Sequence, residues 1–337
     1  MKPPYKIDSH AHIMPSSWPD LKEKFGYGGF IKPIANPQTP GVIDLYKDDG
    51  TFFRTVQPNC YDPAAILPEM DRYCVETMVL CTIPVLFNYW AKPQDTLEWS
   101  MFLNDHIIEQ VQEHASGRFI ALGTLPMQSP DLAIKELKRI HSLGIPGVQI
   151  GSNINDINLD DPMFDPFWQA AESLQMAVFI HPWQMLGFDS IKKYWLPWLV
   201  GMPAETTRAI CSMMFGGVFD RFPNLKVMFA HAGGAFAFTL GRIAHGWNCR
   251  PDLVNLNQTQ SPYEYAGKFW VDGITHDKNA FEYLLKIVGE DKVCYGTDYP
   301  FPLGDLEHGT FIEEMEPLSD KTKQKIFRSN VLDFLGL

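Results

Sequence analysis

Tyr5-Lys6-Ile7-Asp8-Ser9-His10-Ala11-His12 is the stretch on which the fold turns. It reads as a short buried strand that ends on two histidines. A doubly wound α/β sheet normally follows its first strand with a glycine-rich phosphate turn. Here that place is taken by His-Ala-His. Downstream, comparable apolar runs occupy 77–83, 119–125, 147–151, 177–181, 226–231, 269–274 and 293–297. Segments of helical character follow them, at 96–114, 131–143, 165–174, 204–222, 236–247, 278–288 and 320–335. A further helix at 64–73 is announced by an Asp62 cap and a proline at its first position. Eight strand–helix units predict an α/β (β/α)8 TIM barrel, one domain over residues 1–337.

One connection is out of proportion. Residues 13–61 are far longer than an ordinary strand-to-helix loop. They are rich in Pro, Gly and aromatics and lack linker-like flanks. The expectation is a long ordered insertion after the first strand, lying over the barrel mouth rather than forming a second domain.

Composition narrows the class. The chain has 337 residues, 45% of them hydrophobic and 20% charged, which excludes a disordered protein. Its net charge of −12 and lack of a basic stretch argue against nucleic acid as a partner. No apolar run is long enough to span a membrane, and no apolar leader precedes His10. The six cysteines form no CxxC pair. They are expected to be reduced thiols of a cytosolic protein.

Four of the ten histidines fall near the ends of predicted strands: His10 and His12 on the first, His181 on the fifth and His231 on the sixth. Asp298 follows the eighth. Period two puts His10 and His12 on one strand face. The C-terminal strand ends of a barrel converge on one site. Each histidine alone could be a hydrogen-bonded core residue, and HxH alone is weak. Five such positions together favour a site. Three imidazoles and a carboxylate suit a single zinc-type ion with room for water. A fourth imidazole would titrate where acid–base chemistry needs it. The spacing leaves open which histidine does which.

Longer motifs add a resemblance. They include Phe25-Gly-Tyr-Gly-Gly, Gly123-Thr-Leu-Pro-Met-Gln, His181-Pro-Trp, Lys193-Tyr-Trp-Leu-Pro-Trp, Gly241-Arg-Ile-Ala-His-Gly and Gly296-Thr-Asp-Tyr-Pro-Phe-Pro-Leu-Gly. With the histidine set, they resemble the amidohydrolase superfamily and, within it, the metal-dependent decarboxylases. The resemblance implies zinc-dependent, non-oxidative decarboxylation of a small dicarboxylate in tryptophan breakdown. It implies that His10, His12, His181 and Asp298 hold one zinc ion and that His231 is the acid–base group. It also implies substrate contacts from Arg54, Lys47, Trp198 and Phe301, with Arg242 reaching across a homodimer. Lys47 is the weakest of these, because the sequence around it departs from the family pattern. The fourth strand reads Val148-Gln149-Ile150-Gly151 and lacks the bridging Lys or Glu of binuclear members, which favours one ion. Trp183 and Trp195 are read as packing, His106, His114 and His141 as solvated, and His276 as a neighbour of the site. The rivals are a decarboxylase of another acid such as a hydroxybenzoate, a metal-dependent hydrolase, and a non-catalytic barrel that only binds.

Overall fold

The computed structural model describes residues 5–114 and 117–337. In chain order its strands are β1 (Lys6–Ile13), β2 (Ile31–Ala35), β3 (Ile43–Lys47), β4 (Phe52–Val56), β5 (Val75–Thr82), β6 (Phe119–Ala121) and β7 (Gly147–Gly151). These are followed by a small hairpin of β8 (Asn153–Ile154) and β9 (Ile157–Asn158). Then come β10 (Ala177–His181), β11 (Lys226–Phe229), β12 (Trp270–Asp272) and β13 (Val293–Cys294). All eight predicted strands are present, two of them to the residue.

Eight strands lie in two parallel sheets, ordered β1-β5-β6 and β13-β12-β11-β10-β7. Single parallel bridges touch at both seams, Gly123 with Val148 and Ala11 with Tyr299. The α/β architecture of the expectation is therefore observed.

Side chains of these strands alternate between two cores. Ala177, Phe179, Met228, Ala230, Trp270 and Cys294 share an inner cluster. Val178, Ile180, Val227, Phe229, Val271 and Val293 face the helices on the other side. Strands buried on both faces in this way need the near-continuous apolar runs that the sequence shows. By the same alternation His181 points with Phe179, and Asp272 with Trp270.

β1 breaks the alternation. Ile7 belongs to the inner cluster, whereas Ala11 and Ile13 belong to the outer one. An unbroken strand would set Ile7 and His10 on opposite faces. A register irregularity between Asp8 and Ala11 in the pairing with β5 resolves this. The extra residue switches the parity, so His10 and His12 turn inward together.

Residues 13–61 fold into a short helix (Leu21–Phe25) and the antiparallel sheet β2-β3-β4. Asp20 caps the helix by accepting from the Lys22 and Glu23 backbone N–H groups. The sheet has its own core of Ile31, Ile43, Leu45 and Val56. That core packs on Ile83, Leu86, Trp99 and Leu103 from the next strand–helix unit.

Two long helices differ from expectation. The segment 204–222 is preceded by a π-helical turn, Pro197–Gly201, continues as Met202–Phe215, and breaks at Gly216-Gly217 before Val218–Arg221. Gly217 has φ 70°, a conformation that glycine adopts without strain. The segment 320–335 contains a second π-helical turn at Lys325–Ser329. No described helix is long and apolar enough to cross a membrane.

Candidate metal centre

His10, His181, His231 and Asp298 each offer a ligand atom, and these atoms lie within 4.8 Å of one another. His12 stands beside them. Its Nε2 is 2.9 Å from Asp298 Oδ1 and 3.1 Å from His10 Nε2. His10 Nε2 is 3.4 Å from the same Oδ1, and His231 Nε2 is 3.5 Å from Oδ2. His10, His12 and His181 are fully or almost fully buried. All five residues named from the sequence thus meet around one carboxylate.

The far sides of the rings fix their protonation. His10 Nδ1 lies 2.8 Å from Asp272 Oδ2. His12 Nδ1 lies 3.2 Å from the Thr82 carbonyl, and His181 Nδ1 lies 3.1 Å from the Pro182 carbonyl. These partners only accept, so each Nδ1 carries the proton and each Nε2 presents a lone pair inward. His181 Nε2 has no hydrogen-bond partner although it is buried. His10 and His12 press two lone pairs together, and two acceptors cannot bond each other. Three inward lone pairs beside a carboxylate need a cation, and the donor set fits a tetrahedral ion such as zinc.

Without that cation the same electrostatics falls on protons. Burial opposes charge on His10 but is outweighed by Asp298 and Asp272, which push it up to about 9. Burial moves His12 and His181 down. Burial also opposes ionisation of Asp298, yet the surrounding histidines hold its carboxyl well below the usual range.

Two further carboxylates brace the centre. Asp8 accepts from the backbone N–H groups of His10 (3.0 Å) and Thr297 (3.1 Å), and from the Thr297 hydroxyl (2.5 Å). It ties the β1 end to the segment that carries Asp298. Asp272, besides its contact with His10, accepts from the backbone N–H groups of His231 and Ala232, each at 2.8 Å. Asp298, His231 and Ala232 have φ of 58°, 56° and 56°.

A cavity opens on His12, His181 and Asp298. Phe53, Arg54, Trp183, Trp195, Trp198 and Phe301 are among its walls. The Arg54 guanidinium stacks 4.3 Å from the Phe301 ring centre. Burial lowers its pKa, and no carboxylate pairs with it among the described residues. Such a cation, on an aromatic plane and facing a cavity, can grip a carboxylate with both N–H edges.

Some expectations need correction. Trp183 and Trp195 line the cavity and are not mere packing. Lys47 is exposed at the end of β3 and is not in the cavity wall. Arg242 is exposed on the helix Phe236–Cys249, outside this chain's own cavity, a position that leaves the expected reach into a partner subunit's site untouched. His106 and His114 are half-buried rather than solvated, His114 with its ring against Phe119. His276 is exposed and lines a neighbouring cavity together with His231 and Trp198. Asp8 and Asp272 were not singled out from the sequence. The signal for them was a carboxylate within an otherwise apolar strand.

Comparisons with known proteins agree in direction. The family model described as amidohydrolase matches residues 7–337. The chain is 54% identical over 333 residues to the 2-amino-3-carboxymuconate-6-semialdehyde decarboxylase of Dictyostelium discoideum, covering 98% of this chain and 92% of that protein. It is 37% identical to the Caenorhabditis elegans protein of the same name, covering 98% and 94%. Among solved structures, a dihydroxybenzoic acid decarboxylase from Polaromonas sp., with bound manganese and an inhibitor, superposes with a TM-score of 0.77 at 21% identity. That match covers 98% of this chain and 97% of the other.

Proposed function

The chain belongs to the amidohydrolase family, and from that premise we infer that it is a metal-dependent decarboxylase acting on 2-amino-3-carboxymuconate 6-semialdehyde. The reaction releases carbon dioxide and leaves 2-aminomuconate 6-semialdehyde. The observation that carries the reading is the set of inward Nε2 lone pairs around Asp298 at the floor of a cavity that Arg54 faces.

His10, His12, His181 and Asp298 would hold one ion rather than two, since Gly147–Gly151 offers no bridging Lys or Glu, and the nitrogen-rich donors favour zinc. A bound ion supplies fixed positive charge and lowers the pKa of water held on it. The rest of the work falls to the chain. Arg54, steadied by Phe301, holds a substrate carboxylate. Trp183, Trp195 and Trp198 cover the conjugated substrate and exclude water. His231 moves a proton at the carbon that loses carbon dioxide, while the electron pair of the breaking bond spreads into the conjugated system. Exposed Arg242 is supplied by one subunit of a homodimer to the site of the other. Lys47, away from the cavity, is left without a substrate role.

The two parallel sheets, touching at both seams, support a closed (β/α)8 barrel as one domain, with residues 13–61 laid over its mouth. Six free cysteines support a reducing, cytosolic setting.

The test is direct. Enzymatically generated substrate is mixed with the protein, and its visible absorbance and released carbon dioxide are followed with and without a chelator. Chelator-sensitive loss of absorbance with stoichiometric carbon dioxide is expected. Metal-dependent turnover of an amide or ester instead, with no carbon dioxide, would replace this reading by a hydrolase.

A further inference from the structure

We propose that Asp272 is a positioning residue that binds the metal ligand His10 and the acid–base residue His231 into one unit, so that ion binding and proton delivery are set by a single carboxylate. The proposal rests on the roles of His10 and His231 given above. Asp272 is fully buried on β12, and every contact of its carboxylate is to a donor. Oδ2 accepts from His10 Nδ1 and from the His231 backbone N–H, both at 2.8 Å. Oδ1 accepts from the Ala232 N–H at 2.8 Å and from the Ile274 N–H at 3.2 Å.

The place of these bonds in the sheet explains their effect. β11 pairs with β12 through Met228–Trp270 and Phe229–Val271, and the ladder stops there. One residue further along, the chain of β11 turns away into two left-handed residues, His231 and Ala232. Their N–H groups have lost a strand partner, and the Asp272 side chain replaces it. The same oxygen that receives the His231 N–H also receives the His10 ring proton. The His10 lone pair is therefore aimed at the ion by the group that holds the turn carrying His231.

Gly296 provides a second, independent observation. A Cβ placed there would lie 3.0 Å from Asp272 Cβ, 3.0 Å from His10 Cβ and 3.1 Å from Ser9 Oγ. The two Cβ atoms are bonded directly to backbone and cannot swing aside. The glycine leaves the gap in which Asp272 and His10 meet.

The experiment uses Asp272→Asn, whose amide keeps the size but cannot accept from all four donors. Purified protein is stripped of metal and titrated with zinc against a competing chelator, and then assayed at saturating zinc. The expected result is an affinity for zinc about ten- to a hundred-fold weaker. At saturating zinc, kcat should stay at least ten-fold low with KM little changed, because the turn holding His231 has lost one of its two carboxylate acceptors and faces an amide N–H in its place. Full recovery of kcat at saturating zinc would overturn the link to His231, and unchanged zinc affinity would overturn the link to His10. If Asp272→Asn does not fold, Gly296→Ala serves as the second variant and should show the same two deficits. Normal zinc affinity and kcat in Gly296→Ala would count against the proposal. His231→Ala is run alongside. If that variant keeps wild-type turnover, the acid–base assignment itself fails, and the proton-delivery half of this proposal fails with it.

Discussion

Asp298 and His231 each hold a backbone conformation that costs a side-chain-bearing residue roughly 1–3 kcal/mol. Their surroundings keep them there. The Asp298 N–H donates to the His10 carbonyl at 2.8 Å, and the His12 N–H donates to the Tyr299 carbonyl at 2.7 Å. Replacing His231 with Ala should retain zinc and lower kcat by about 10²–10⁴; zinc loss as the first effect would make His231 a ligand instead. Replacing His181 or Asp298 should lower zinc content and activity together, as measured by elemental analysis of the purified protein. Arg54→Ala should cost about 1.5–3 kcal/mol in kcat/KM, carried mainly by KM. Phe301→Leu should cost less, since the leucine still fills part of the cavity wall while Arg54 loses its stacking partner. At this scale the clustered histidines and Asp298 were legible because histidine is uncommon and ends strands for few reasons. Asp272 and Asp8 were not, because a lone strand carboxylate does not reveal what lies across the sheet. Trp183 and Trp195 look in sequence like any packed aromatic, and only the third dimension separates a cavity wall from a core.

Among the elements, the turn after β11 is the most constrained. Gly234 has φ 65° and ψ −128°. A Cβ there would sit 2.2 Å from the Pro203 carbonyl oxygen. Gly234→Ala should therefore destabilise the fold by at least about 2 kcal/mol, which urea unfolding would detect. A neutral result would mean that the turn can relax. The buried strands were readable because burial on both faces leaves only apolar residues. The three strands of the insertion were not, since Ile31–Ala35 carries Pro33 in its middle and Phe52–Val56 fully buries only Val56. Helix ends were read to within a few residues where a proline or a cap marks them. The π-helical turn Lys325–Ser329 has no signature of that kind, and Pro197 marks where the other begins but not its wider pitch.

For the molecule as a whole, two properties can be checked. If Arg242 works across an interface, an inactive Arg242→Ala subunit mixed with an inactive His231→Ala subunit should regain activity in heterodimers. Confirmed heterodimers without activity would remove the exchange. The second property is acid sensitivity. His308 is buried between Tyr73 and Tyr299, with Glu69 3.8 Å from its Nε2 and Lys6 Nζ on its carbonyl. Burial, with Lys6 adding to it, pushes its pKa down from 6.5 to about 4. The unfolded chain therefore takes up a proton below pH 6.5 that the folded chain refuses until about pH 4. Stability should fall as pH drops through that window, by at most about 1.4 kcal/mol per pH unit from this group. His308→Phe should flatten that part of the urea midpoint against pH.

The origin of Arg54 has a consequence for how such an enzyme can change. The candidate ligands and His231 are carried by β1, β10, the turn after β11 and the segment after β13, whereas Arg54, which faces the cavity, comes from β4, in a sheet with a core of its own. Chemistry and selectivity are thus written in separate stretches of chain. A graft that exchanges residues 31–56 could redirect the protein to a different acid while every ligand of the ion stays in place.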